Sequence, residues 1–368
     1  MSDSSIWAIG LMSGTSLDGI DAALVRTDGV QVHELGAWIM SDYPPALREQ
    51  LREVVHGQGN KVQAERDMTL QHAKVVQQLL KQAGMQPQDV GVIGFHGQTV
   101  DHRPEEGITV QIGDGALLAA ETGIDVIYDM RKNDVREGGQ GAPLVPLFHA
   151  ALAKSLSLPV AMLNIGGIAN VTYIGRDANG VDGLRIIAFD TGPGNVLMND
   201  YMHKMQGKSM DAGGELAAQG EVKHAVIDAY LQDPYFQQKA PKSLDRNYFN
   251  MQRVFTLEDA DALATLTAFT AASIEKALEH FPKEPTRWLV SGGGRLNMTL
   301  MNMLKQRLGN VLTVEANGWD GDAIEAQAFA YLAVRSLNGY PLTLPETTGV
   351  RQAVTGGVFC PGASAAAL

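Results

Sequence analysis

Apolar positions along the chain follow two rhythms. Short, nearly unbroken apolar runs alternate with longer stretches in which apolar residues recur every three or four positions. That is the pattern of strands alternating with helices in an α/β fold. Residues 6–12 read as a strand entering a Ser13-Gly14-Thr15-Ser16 turn, and 20–26 as the strand returning from it. Helices are predicted over 44–55 and 64–84, with Gly84 placed to end the second in a left-handed cap. A buried-type strand over 90–95 ends in His96-Gly97-Gln98-Thr99, and 108–112 and 124–128 are further strands. The pattern breaks at Gly138-Gly139-Gln140-Gly141-Ala142-Pro143, the expected crossing between domains, and a helix follows. A strand over 160–163 then ends in Asn164-Ile165-Gly166-Gly167 and pairs with 171–174. Another over 184–189 ends in Asp190-Thr191-Gly192-Pro193-Gly194-Asn195. A long helix is expected over 265–280, a short strand over 288–290 ending in Ser291-Gly292-Gly293-Gly294, and an alanine-rich helix over 323–336.

The second half echoes the first. Strand, glycine turn and returning strand occur near residue 10 and again near 165, and a later strand with a polar-glycine end occurs near 96 and near 292. A duplicated α/β unit with a cleft between its halves is the expectation. Ligands of open α/β sheets sit beyond the carboxyl ends of the strands, where all these turns lie.

Composition narrows the class. A length of 368 residues suits about two domains, and 45% hydrophobic with 19% charged residues is globular. The 41 acidic side chains outnumber the 29 basic ones, giving a net charge of −12. This argues against nucleic-acid binding but leaves room for an anion held by backbone N–H groups. Cys360 is the sole cysteine, so an intramolecular disulfide and a cysteine zinc site are excluded. The first residues lack the basic and apolar regions of a signal peptide, and no apolar stretch approaches the roughly 20 residues of a membrane span. A cytoplasmic enzyme with no nucleic-acid and no membrane partner is expected. Forty glycines exceed the usual roughly 7% and need a local explanation.

The turns carry the candidate chemistry. In Gly10-Leu11-Met12-Ser13-Gly14-Thr15-Ser16-Leu17-Asp18-Gly19-Ile20-Asp21, glycines let successive N–H groups face inward while Ser and Thr add hydroxyls, which suits phosphate. Asp18 suits Mg²⁺ beside those phosphates. An ordinary hairpin explains the same glycines. Gly207-Lys208-Ser209 is no P-loop, since Met202 stands where glycine is needed, and Asp18 spoils a serine-hydrolase elbow. Asn164-Ile165-Gly166-Gly167-Ile168-Ala169-Asn170 is a second such turn. Asp190, at a strand end, is placed for a general base or for a cap. Gly292, Gly293 and Gly294 either face a base or ribose or make a tight turn. His96 and Arg131 admit structural readings, and Glu325 opens a helix where acids favour the dipole anyway.

In this order the motifs resemble the actin, sugar-kinase and chaperone ATPase superfamily. The first turn, with Gly94-Phe95-His96-Gly97-Gln98-Thr99, the 164–170 and 189–195 turns and Ser291-Gly292-Gly293-Gly294, is similar to the anhydro-N-acetylmuramic acid kinase family over essentially the whole chain. The resemblance implies a two-lobed, duplicated actin-like (ribonuclease H-like) fold. The lobes would be 1–130, joined by the returning 340–368, and 131–339, with hinges near 130–145 and 340. It implies ATP-dependent opening and 6-phosphorylation of 1,6-anhydro-N-acetylmuramic acid in cell-wall recycling, and a homodimer. Asp190 would be the base, with Glu325 and Arg131 also catalytic. Gly14, Thr15, Ser16, Leu17, Asp18, Gly19, Ile20, Asp21, Gly166 and Gly167 would hold ATP phosphates, with Mg²⁺ on Asp18. Gly292, Gly293 and Gly294 would lie by the adenosine. Ser13, His96, Gln98, Arg131, Asp190 and Glu325 would contact the sugar. The alternatives are a kinase for another sugar or a carboxylate, or an ATP-binding regulator.

Overall fold

A computed structural model describes residues 5–14 and 16–362, so Thr15 of the first turn lies outside the described residues. The chain divides into two compact units, Met1–Lys154 with Asp322–Leu368, and Ser155–Gly321. The boundaries expected at 130/131 and 339/340 are therefore displaced.

In the first unit, β1 (Ile6–Met12), β2 (Gly19–Thr27) and β3 (Val32–Asp42) form an antiparallel meander. Helices α1 (Pro45–Val55) and α2 (Lys61–Ala83) follow, the second capped by the Asn60 side chain and ended by Gly84 at φ +67°. Strand β4 (Val90–Phe95) runs parallel to β1. A separate hairpin, β5 (Gln98–Arg103) and β6 (Ile108–Ile112), leads through α3 (Gly115–Thr122) to β7 (Val126–Tyr128), parallel to β4. Short helices α4 (Lys132–Arg136) and α5 (Pro146–Ala153) end this part.

The second unit repeats the plan. Strands β8 (Val160–Ile165), β9 (Ile168–Val181) and β10 (Leu184–Pro193) form an antiparallel meander. Helices α6 (Val196–Tyr201), α7 (His224–Leu231) and α8 (Asp259–Glu275) precede β11 (Arg287–Ser291), which runs parallel to β8. Helix α9 (Met298–Leu308) leads to β12 (Val311–Thr313), parallel to β11. The chain then returns to the first unit with α10 (Ile324–Leu337), α11 (Pro345–Thr348) and the edge strand β13 (Val358–Cys360).

The sheet orders are β13-β7-β4-β1-β2-β3 and β10-β9-β8-β11-β12. Apart from β13, they are the same order with the same strand directions, so the echo in the sequence is a real duplication of topology. Strand β3 escapes sequence reading because it is a half-exposed edge in which charged and apolar residues do not alternate cleanly.

The glycine-proline break at 138–143 is not a crossing. The buried Asp134 carboxylate accepts the Gly141 N–H (2.6 Å) and the Thr348 hydroxyl (2.6 Å), which ties the loop into the first unit. Phe148 of α5 packs against Tyr331 of α10, 5.6 Å between centroids, which keeps both helices there too. The core of this unit includes Ile9, Leu11, Leu24, Val76, Leu79 and Phe95. That of the second includes Leu163, Val171, Phe189, Ile274 and Trp288. No helix among the described residues is long and apolar enough to cross a membrane.

One packing detail positions a site. A Cβ at Gly10 would lie 1.8 Å from the Ala326 carbonyl oxygen, and one at Gly94 2.0 Å from that of Phe329. Only glycine lets the backbone of α10 lie directly on β1 and β4. That contact fixes the first turn of α10, and with it Glu325, at the end of β1.

Candidate active site

The first unit gathers most of the polar candidates. The β1–β2 turn is closed by the Leu17 N–H donating to the Gly14 carbonyl (3.2 Å), with Leu17 at φ +58°. Leu17 and Ile20 point into the core, so they offer a ligand backbone only, while Ser16 and Asp18 are exposed. The Asp18 carbonyl accepts from the Tyr43 N–H (3.2 Å) and from Arg48 (2.7 Å). Asp21 is pushed up to about 7 by burial, then by the like charges of Glu325, Asp322 and Asp18.

Arg131 donates from Nε and Nη2 to His96 Nε2 (3.1 and 2.9 Å) and from Nη1 to the Gly141 carbonyl (2.7 Å). Three of its five N–H donors are thus spent, and two remain. Burial draws its pKa down to about 10, against the opposing pull of Glu325 and Asp134. Because His96 Nε2 accepts, its proton sits on Nδ1. Burial and the Arg131 charge hold the ring neutral, with its pKa well below the ordinary range. Gln98 is fully buried and donates to the Gly14 carbonyl (3.1 Å).

Ser13 is buried and bonded to His72 Nε2 (3.0 Å), whose Nδ1 is bonded to the Met68 carbonyl (2.9 Å). A carbonyl only accepts, so Nδ1 carries the proton and Ser13 must donate to Nε2. Among the described residues, His96 Nδ1, Gln98 Oε1 and Tyr43 Oη are buried with no hydrogen-bond partner. The Tyr43 N–H bonds to the Asp18 carbonyl, the Gln98 amide to the Gly14 carbonyl, and the His96 N–H to the Leu11 carbonyl at the end of β1. Unsatisfied buried polar atoms gathered on one turn are the expected mark of a place completed by a ligand.

The second unit locks its turns to one another. The carbonyls of Gly166 and Gly167 accept from Asn195 (2.8 Å), Gly194 (2.8 Å) and Val196 (3.1 Å), the N–H groups that open α6. Gly292 has φ +75°, and a Cβ there would lie 2.2 Å from Asn164 Oδ1. A Cβ at Gly294 would lie 2.4 Å from Ile165 Cγ2, whereas one at Gly293 would meet only Asn195 Nδ2, at 3.9 Å, and Gly167 faces open space. So Gly292 and Gly294 serve packing, and only Gly293 offers the flat exposed surface read from the sequence.

Asp190 sits at a register shift between β10 and β9, a bulge of the kind that re-aims a side chain. It is half-buried, and its Oδ2 accepts the Leu244 N–H (2.8 Å). Burial pushes its pKa up to about 7, partly offset by that bond. Tyr235 donates its hydroxyl to the Asp190 carbonyl, and the Asp190 N–H donates to the Lys242 carbonyl (2.9 Å). Among the described residues no three His, Cys, Asp or Glu side chains converge as metal ligands.

A family model described as anhydro-N-acetylmuramic acid kinase matches residues 6–362. The chain is 51% identical to the protein of that name from Rhodospirillum rubrum, over 99% of this chain and 96% of the other. It is 50% identical to that from Paramagnetospirillum magneticum, over 95% and 98%. The chain belongs to the anhydro-N-acetylmuramic acid kinase family. Among solved structures, gluconate kinase from Lactobacillus acidophilus shares the fold, at a TM-score of 0.50 and 9% identity, over 91% of this chain and 90% of that one. The resemblance drawn from the motifs is borne out, as is the actin-like sugar-kinase fold. Membership makes the protein an ATP-using kinase for a small sugar rather than a nucleotide-binding regulator.

Within this kinase, sequence reading missed five residues that shape the site. His72 and Tyr43 lie on or beside helices with no motif to flag them. Tyr235, Lys242 and Leu244 belong to an irregular segment, and Leu244 acts through its backbone, which no side-chain pattern records. A polar His72 on the apolar face of α2 was the one available signal.

Proposed function

We propose that the chain opens 1,6-anhydro-N-acetylmuramic acid with water and transfers the γ-phosphoryl of ATP to the freed 6-oxygen. The products are N-acetylmuramic acid 6-phosphate and ADP. The observation that carries the assignment of roles is the contrast between Asp190, an isolated carboxylate with its pKa raised to about 7, and the first unit's turn with its unsatisfied polar atoms.

Asp190 takes a proton from water as the water oxygen bonds the anomeric carbon and the bond from that carbon to the 6-oxygen breaks. The 6-oxygen bonds phosphorus as ADP leaves. A base with a pKa near 7 is matched to this task at neutral pH, and an inverting geometry needs room for the water between base and sugar. Phosphoryl transfer then depends mainly on positioning and charge. Gly14 and Ser16, with the backbone from Leu17 to Asp21, and Gly166 and Gly167, hold the phosphates. Gly293, flanked by Gly292 and Gly294, faces the adenosine. Ser13 presents lone pairs, because its proton is committed to His72, so it reads a substrate donor. His96 Nδ1–H reads an acceptor, and Gln98 Oε1 a donor. The two remaining Arg131 donors suit the lactyl carboxylate, with Glu325 beside them.

Mg²⁺ fits the first unit. It needs only one or two carboxylates and takes its other ligands from water and phosphate, and the mutual repulsion around Asp21 is what a cation relieves. Asp18 would hold it, where it would neutralise charge on the phosphoryl oxygens. We place the enzyme in the cytoplasm, as a homodimer, on the strength of the family resemblance.

A coupled ADP-release assay tests the reading. ADP release with anhydro-N-acetylmuramic acid and none with glucose, N-acetylglucosamine or acetate is expected. Release with the latter three only would overturn it.

A further inference from the structure

We propose that Lys242 is a positioning residue that holds the Asp190 carboxylate in its working orientation; the inference rests on Asp190 being the general base. Lysine is almost never buried without a charged partner. Yet Lys242 is only 8% exposed, and its ammonium donates to a neutral group, the Tyr235 carbonyl, at 3.1 Å. The same nitrogen stands 4.4 Å from the centre of the Tyr235 ring, a cation–π contact that recovers part of the desolvation cost. Burial draws its pKa down to about 8. The other charged or titratable groups acting on it are Glu279, Lys276 and His280, the last packed on Phe189 at 4.8 Å between centroids. Such a residue is costly to keep, and its surroundings show what it does.

The segment from Tyr235 to Leu244 is a strap with three tethers, and all three end on Asp190. The Tyr235 hydroxyl donates to the Asp190 carbonyl, the Lys242 carbonyl accepts the Asp190 N–H, and the Leu244 N–H donates to Oδ2. The Lys242 ammonium bonds back to the Tyr235 carbonyl and so closes the strap on itself. With Oδ2 fixed by Leu244, Oδ1 is the oxygen left to take the proton of the attacking water. Without the ammonium the strap can slacken, and Leu244 leaves its place.

Lys242→Met keeps the length of the stem and removes the charge and its donors. In this variant kcat should fall about tenfold, a fraction of the roughly 10²–10⁴ that a general base supplies. KM for ATP should stay unchanged. The acid limb of the kcat profile should move to higher pH, because Asp190 loses a bond that favours its ionised form. Lys242→Arg, which restores a cation and donors, should recover most of the rate and the original limb. Tyr235→Phe, which removes one tether only, should move the limb in the same direction by less. It decides the matter if Lys242→Met does not fold. A uniform loss of rate with the limb unmoved in both Lys242→Met and Tyr235→Phe would overturn the proposal. Asp190→Asn separates this failure from that of the base: near-normal turnover in Asp190→Asn removes the base itself, whereas an inert Asp190→Asn beside unmoved limbs removes only the role of Lys242.

Discussion

The two units have the same sheet order and differ in the charge gathered at their first turns. At the end of β1, the first unit crowds Glu325, Asp322 and Asp18 around Asp21, and Arg131 faces Glu325. At the end of β8, the second has no charged side chain in its turn, and its glycine carbonyls are taken up by α6. Each unit nevertheless holds a carboxyl with its pKa raised to about 7, Asp21 in the first and Asp190 in the second. For Asp21, like charges add to burial; for Asp190, burial acts alone against one N–H donor. The same shift therefore means different chemistry. A carboxylate whose burial is compounded by like charges is relieved by a cation, whereas one raised by burial alone is relieved by a proton. The first suits a phosphate and metal site, and the second a base.

Glycine is used differently in the two units too. Gly10 and Gly94 admit a helix to the sheet, while Gly194, Gly292 and Gly294 admit one turn to another. Gly10→Ala should have the largest effect. Its methyl meets backbone that cannot give way, so the first unit should lose on the order of 3 kcal/mol or more, at or above the top of the usual range for overpacking. Urea unfolding would show it, together with loss of all turnover. Gly194→Ala, whose Cβ would lie 2.4 Å from the Gly166 carbonyl oxygen, should leave the chain folded and raise the Kd for ATP, measured by calorimetry, roughly tenfold or more. If the two variants behaved alike, the contrast between helix packing and turn packing would be lost.

Arg131→Lys should raise KM for the sugar about tenfold with a smaller change in kcat, since lysine cannot reproduce the fork that binds His96 and Gly141. Steady-state kinetics with the sugar varied would test this. Asp21→Asn should have the smallest effect and the opposite sign, on stability. The Asp21 pKa is higher folded than unfolded, so its ionisation costs stability as pH rises from its ordinary value through about 7. The neutral variant should therefore be more stable at alkaline pH, by at least about 1.4 kcal/mol, the worth of one pKa unit, with the gain fading as pH falls. Equal stability of the two proteins at every pH would mean that the acidic cluster is not strained.

Much of this was legible in the residues. Apolar runs marked β1, β4 and β8, since buried strands read as nearly unbroken apolar segments. Polar-glycine strings marked the turns, because a chain that must turn sharply at a strand end has few residue choices. What the pattern could not show was which glycine serves a ligand and which serves packing, for that depends on partners distant in sequence, such as Ala326 over Gly10. The unit boundary was misplaced for the same reason. A glycine-proline string looks like a linker until the Asp134 and Thr348 contacts pin it. Asp190 was found as a strand-end acid, but its strap was not, because two of the three tethers use backbone atoms of an irregular segment.

The division of labour between the units rests on Asp190 as the base. Turnover of Asp190→Asn, measured beside its ATP affinity, tests this most directly. A loss of more than roughly 10²-fold in turnover with ATP binding unchanged is predicted. Near-normal turnover would contradict it.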